Sequence, residues 1–340
     1  MSEINDPNQI EYNHPLNVGN IDADNSKFFR ITQNFCKIDI KEIEPTIQNI
    51  NKNVFEEDLS LMIDKLFSLI FNGTNKGREE KAIKQQFFDC INNHKINIQE
   101  IYYWLQKNIT CSNSIYLLGY FNYHGIGIDI NKKYAFELFQ KAAELENIVA
   151  QFELANMCMD GDGVDQNYEK ALELSKKLTE GKYPCGINLL GYCYKMGIGT
   201  EVDSQKAFKL YESVANLENL HGICNLGVCY ENGIGTEINE QKAFKLYQKA
   251  ADLEHSEGMN NLGYCYNNGI GTDFDEKKAF KLYQKAAKLG NEFAQYNLAL
   301  MYEFGDGIEE NFDLAIYWFK KSAEQGNIKS QSDLNILLNE

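Results

Sequence analysis

One string recurs six times at a fixed interval, and it constrains the fold more than any other property of this chain. It reads LGYFNYHGIG from Leu118, LANMCMDGDG from Leu154, LGYCYKMGIG from Leu190, LGVCYENGIG from Leu226, LGYCYNNGIG from Leu262 and LALMYEFGDG from Leu298. Each copy starts 36 residues after the last, without insertion, so six units fill residues 113–328. Residues 329–340, ending in SDLNILLNE, start a partial seventh that reads as a C-terminal cap. A strict period of this length marks a solenoid, in which a unit packs only on its neighbours.

Each unit reads as two helices. In helix A of unit four, Gly222, Ile223, Leu226, Cys229 and Tyr230 fall on one helical face. Gly233 and Gly235 follow, and glycine stops a helix because it tolerates left-handed backbone. Next comes a polar residue in one register: Asn131, Asn167, Asp203, Asn239, Asp275 and Asn311. Asn and Asp bond the free N–H groups at a helix start, so these are N-caps for helix B. Helix B repeats the pattern with Ala207, Leu210, Tyr211, Val214 and Ala215. Its register of Ala135, Ala171, Ala207, Ala243, Ala279 and Ala315 allows close helix approach. Neither helix can bury its stripe alone, so the fold expected is an all-α, right-handed solenoid of stacked helix pairs.

The residues Leu226-Gly227, Tyr230, Gly233, Gly235, Lys242-Ala243, Tyr247 and Lys249-Ala250-Ala251, with their equivalents in each unit, resemble the Sel-1-like repeat family, cousins of the tetratricopeptide repeats. The resemblance implies a superhelix that binds protein partners and acts as an adaptor in signalling, protein quality control or cell-wall regulation. KEIEPTIQNINKNVFEEDLS (41–60) and INNHKINIQEIYYWLQ (91–106) are similar to the segment before the repeats in fungal members, many of which carry a protein kinase domain. The kinase signatures are missing from this sequence: it has no Gly-rich loop with a Val-Ala-x-Lys strand, no His-Arg-Asp and no Asp-Phe-Gly. A protein kinase therefore enters only as a candidate partner, with the chain as a regulatory component acting in trans.

Residues 1–26 are polar and read as a disordered tail, and 27–112 as a helical N-terminal region. Phe55, Leu59, Ile63, Leu66, Phe67 and Ile70 make one helical stripe, and Ala82, Ile83, Phe87 and Ile91 a second. A third helix, Ile98 to Lys107, has Asn97 as cap and Glu100 in capping-box position. The last two, over roughly 77–107, are expected to form a degenerate capping unit.

Composition narrows the function classes. A net charge of −16 opposes nucleic-acid backbones and anionic membranes. Residues 113–340 hold 33 acidic against 21 basic side chains, which favours a basic partner. No apolar run is long enough to span a membrane, the first residues lack a secretory pattern, and the cysteines show no CxxC pair. The expectation is a soluble, cytoplasmic chain without metal or other cofactor. The histidines, none in a metal-ligand motif, are expected to face solvent. Cys193, Cys229 and Cys265 share a register with Phe121, Met157 and Met301, which makes it an apolar core slot. The glycine pairs follow a helix rather than a strand, so they read as helix stops and not phosphate loops. A hydrolase-type enzyme is the remote alternative, because no catalytic constellation stands out.

Beside the buried stripe of helix A runs a second stripe that varies between units: Cys185, Leu189, Tyr192 and Met196, then His221, Asn225, Val228 and Asn232, then Glu257, Asn261, Tyr264 and Asn268, then Phe293, Asn297, Leu300 and Phe304. Packing explains constancy, and a partner-facing groove permits variation. The candidate binding residues are Tyr120, Tyr192 and Tyr264 as aromatic contacts, with Asn225, Asn261 and Asn297 as a carboxamide ladder for an extended peptide. Joint replacement of Tyr192, Asn225 and Tyr264 is expected to spare folding. The reading is a non-catalytic scaffold that binds proteins or peptides on its concave face.

Overall fold

The structure is a computed structural model that describes residues 56–338, with side chains from Leu59 onward. The tail, the stretch before Glu56, and Phe55 of the first stripe lie outside the described residues. Three helices precede the array: α1 (Glu56–Asn75), α2 (Glu80–His94) and α3 (Ile98–Lys107). The units follow as pairs. Their A helices are α4 (Ser112–His124), α6 (Ile148–Asp160), α8 (Pro184–Met196), α10 (Leu220–Asn232), α12 (Ser256–Asn268) and α14 (Glu292–Phe304). Their B helices are α5 (Lys132–Glu144), α7 (Tyr168–Glu180), α9 (Ser204–Asn216), α11 (Glu240–Asp252), α13 (Glu276–Lys288) and α15 (Phe312–Glu324), and α16 (Ile328–Leu337) closes the array. The described residues contain no strand. Consecutive helices pack in sequence order from α4 to α16, which is the stacked helix-pair solenoid expected.

Local chemistry sets the helix boundaries. All six expected N-caps accept a bond from the backbone N–H three residues on, at 2.9–3.0 Å. The first glycine of each pair ends helix A in left-handed backbone, as at Gly233 with φ 70°. The second has another task. A Cβ on Gly235 would stand 2.1 Å from the carbonyl oxygen of Ser204, the first residue of the preceding B helix. Gly199 meets Tyr168 and Gly271 meets Glu240 in the same way, at 2.4 and 2.3 Å. This glycine lets one unit's loop touch the previous unit's backbone, so a helix stop is only half of the motif's explanation. Inside helix A, Gly191, Gly227 and Gly263 leave room for the fully buried rings of Tyr211, Tyr247 and Tyr283. All six register alanines of helix B are completely buried.

The N-terminal helices depart from the expected capping pair. Helix α3 does behave like a B helix ahead of unit one: Ile98 packs under Gly127, where other units place the start of their preceding B helix. Its cap Asn97 accepts from Gln99, one residue earlier than a capping box requires. Helix α2, however, runs antiparallel to α4, because Glu80 lies beside His124 while Phe87 reaches back to Tyr120 and Phe121. It is therefore no A helix of an extra unit. Helices α1 and α2 form a hairpin, and α1 packs against α4, α6 and α8, all of them A helices.

Candidate functional site

The hairpin lies along the face that the varying stripe was expected to leave open. Contacts advance with α1: Asp64 meets Asn113 of α4, Phe67 packs edge-on against Tyr116, and Phe71 against Tyr183 at the start of α8. The turn after α1 then caps two further A helices. The backbone N–H of Leu220, first residue of α10, donates to Lys76 O at 2.9 Å, and Asn219 Nδ2 donates to Asn75 O at 3.0 Å. The N–H of Ser256, first residue of α12, donates to Glu79 Oε1 at 2.6 Å. Its own cap residue, His255, offers no side-chain bond there. A carboxylate at a helix start is also favoured by the helix dipole. Gly77 makes the turn possible, since it has φ 62° and a Cβ on it would meet the Asn219 side chain at 2.6 Å.

These contacts report the shape of the array. Two consecutive residues reach units one and five: Glu80 Oε1 stands 3.3 Å from His124 Nδ1, and Glu79 reaches Ser256. Packed helices stand about 8–10 Å apart, so four steps of a straight array would separate those units by roughly 35 Å. The A-helix face therefore curves around the hairpin.

The candidate residues divide accordingly. Tyr120 is 2% exposed, sits between Phe87 of α2 and its own His124, and has its hydroxyl pushed well above the usual range by burial and by Glu80 and Glu153. Tyr192 is 7% exposed within the core that includes α1. Asn225 and Asn297 link neighbouring A helices, while Asn261 accepts from its own neighbour within α12. Asn225 Nδ2 donates to Asn188 Oδ1 at 3.0 Å, Asn297 Nδ2 to Asn260 Oδ1 at 3.0 Å, and Asn260 Nδ2 to Asn261 Oδ1 at 3.3 Å. Asn261 and Asn297 are buried, Asn225 and Tyr264 partly exposed, and Phe304 and Asn268 exposed. The stripe is thus closed at Tyr120 of unit one and Tyr192 of unit three, and opens toward the C-terminal ends of α12 and α14. Tyr192 is buried, so the joint replacement of Tyr192, Asn225 and Tyr264 carries an expected cost of about 3–5 kcal/mol at Tyr192 alone.

The histidine expectation is corrected as well: His124 and His255 are buried, at 8% and 2% exposure, by the hairpin and the units that embrace it. Burial, with Lys84 and Lys132 nearby, holds His124 well below the ordinary imidazole range. Burial and the Glu80 charge push Glu153 of α6 up to about 8. A carboxyl raised in the folded state stabilises it most below the unfolded pKa of about 4.3, and this contribution is lost as pH rises through about 8. Glu153→Gln, which keeps the shape without the charge, is expected to raise the thermal midpoint at pH 8.5 and leave it unchanged at pH 4.5. Melts that shift equally at both pH values would refute the assignment.

The thiol slot fits its apolar reading: Cys193, Cys229 and Cys265 are fully buried, and burial pushes Cys193 and Cys229 up to about 11. The described cysteines are all free. Among the described residues, no helix is long and apolar enough to cross a membrane. The pattern of residues missed by sequence reasoning is consistent: Glu79, Glu80 and Glu153 gain their surroundings from contacts made by the hairpin.

The Sel1 repeat model matches residues 112–147, 148–182, 186–219, 220–255, 256–291 and 293–327. No curated protein is significantly similar to the chain. Among solved structures, a Sel1 repeat protein from Oxalobacter formigenes is 26% identical, with a TM-score of 0.58 over 68% of this chain and 93% of its own. The protective antigen c5321 of uropathogenic Escherichia coli, which displays an SLR fold, is 24% identical, with a TM-score of 0.48 over 84% of this chain and 67% of its own. With six matched units covering more than half of its length, the chain belongs to the Sel1 repeat family, whose members typically mediate protein–protein interaction.

Proposed function

We propose that this protein is a non-catalytic scaffold that captures a helical or extended protein segment on the concave face of its A helices. The observation that carries the reading is the hairpin itself: the face already holds an amphipathic helix of this chain, through apolar contacts and capped helix ends. The surface left for a partner is the stretch of α12 and α14 bearing Tyr264, Asn268 and Phe304, with Asn225 at its edge. Tyr120, Tyr192, Asn261 and Asn297 shape that face from beneath. The excess of acidic side chains over residues 113–340 favours a basic segment.

The test is affinity purification with mass spectrometry from the native cell, using the wild type and a Tyr264→Ala/Phe304→Ala variant. The variant is expected to melt within a few degrees of wild type, since both side chains keep solvent contact. It should recover at least about tenfold less partner, as loss of an aromatic hot spot does. Equal recovery would move the binding face elsewhere. A second reading, regulation of a protein kinase in trans, rests on the similarity of residues 41–60 and 91–106 to the region preceding repeats in kinase-bearing relatives. A kinase among the partners recovered would favour it.

A further inference from the structure

We propose that His221, His255 and Glu257, with Glu79 of the hairpin turn as fourth donor, bind a divalent transition-metal ion of the Zn2+ type. One donor atom from each of the first three lies within 4.8 Å of the others. A tetrahedral ion held at about 2.0–2.1 Å needs donors roughly 3.4 Å apart. The largest closure is roughly 1.4 Å for a tetrahedral site, and the partly exposed side chains of His221 and Glu257 can supply it by rotation.

A second observation points to the same place. The His255 side chain is 1% exposed, and its Nε2 has no hydrogen-bond partner. Its other nitrogen, Nδ1, is 3.4 Å from Cys224 Sγ. With the proton on Nδ1 and bonded to that sulfur, the Nε2 lone pair is left for a metal, the arrangement in which an outer partner fixes a ligating imidazole. Nε2 also stands 3.7 Å from Glu79 Oε1, too far for a hydrogen bond but close enough to share an ion. A buried imidazole nitrogen without a partner is unfavourable, and coordination would remove that penalty.

The donor chemistry selects the class of ion. Two imidazoles with carboxylates suit Zn2+ and its neighbours, whereas Ca2+ and Mg2+ take oxygen ligands. Two carboxylates also balance the dipositive charge. The donors come from unit four, unit five and the hairpin, so a bound ion would tie the turn to the array and stabilise the docked state by linkage.

The experiment titrates metal-free full-length chain with zinc sulfate by calorimetry, in a Cys36→Ser/Cys111→Ser background that removes the exposed thiol of the described residues and the one outside them. One equivalent is expected to bind and to raise the thermal midpoint. The same site loaded with Co2+ should show visible bands without a thiolate charge-transfer band. His221→Ala/Glu257→Gln keeps the buried His255 in place and should weaken binding at least ~100-fold, since losing an outer-shell partner alone costs about 10–100-fold. His94→Ala, a surface control, should bind as the parent does. Absence of saturable binding, or a double variant that binds like the parent, overturns the site. Glu79→Gln should weaken binding at least about tenfold, and unchanged affinity would overturn the hairpin's part in it.

Discussion

Gly235→Ala is expected to destabilise the array more than Gly233→Ala, although the two glycines have nearly the same backbone, with φ 67° and 70°. Each substitution places an L-residue in left-handed backbone, an expense of about 1–2 kcal/mol. At Gly233 the new methyl finds Ile238 Cγ1 at 3.1 Å and Thr236 O at 3.4 Å, so a flexible side chain can give way. At Gly235 it meets the Ser204 carbonyl oxygen at 2.1 Å and carbon at 2.6 Å. That is helix backbone of the neighbouring unit and cannot rotate aside, so overpacking adds about 1–3 kcal/mol. Gly235→Val should be worse again, because a β-branched side chain tolerates positive φ least. Urea unfolding followed by circular dichroism would show the order as a shift in midpoint. Equal shifts for the two alanine variants would mean that the second glycine only bends the chain.

Phe87→Ala is expected to release the hairpin while leaving the distal units folded. Phe87 is fully buried, with ring centroids 5.5 Å from Tyr120 and 5.9 Å from Phe121. Removing such a side chain costs about 3–5 kcal/mol. In a solenoid the loss stays local, because stability is a sum of unit and nearest-neighbour terms. Amide exchange should therefore quicken across α1, α2 and the starts of α10 and α12, and stay slow in α13 to α15. Uniform loss of protection would show that the hairpin is part of one global unfolding unit. On the scaffold reading, the released face should also recover more partner.

What could be read from the sequence follows from what periodicity reports. The six caps, the alanine register and the buried stripe are local properties of a helix, and each appears where its spacing places it. The hairpin's seat is a different kind of fact. Asn219 is 144 residues from Asn75, and Ser256 is 177 from Glu79, so nothing in either segment signals the other. One trace was present: the varying stripe is wholly apolar in unit three, at Cys185, Leu189, Tyr192 and Met196, and polar at His221, Asn225 and Asn232 in unit four. That change from apolar to polar falls where α1 gives way to the turn, but Phe293, Leu300 and Phe304 make unit six apolar too, so the trace alone did not locate the hairpin. The asparagine register was visible too, but the bonds of Asn225 and Asn297 run between neighbouring A helices, and spacing alone cannot choose that over a ligand.

The uninterrupted period acquires a further meaning once the hairpin is in place. Arrays of identical units lengthen and shorten readily, because adding a unit creates an interface like those already present. Here Glu80 and Glu79 meet His124 and Ser256 at once, and those residues belong to the first and fifth units. Excising or duplicating one 36-residue unit between them would leave every stacking interface intact and carry one contact away from the other. The hairpin thus ties the number of units from the first to the fifth to the reach of its own turn.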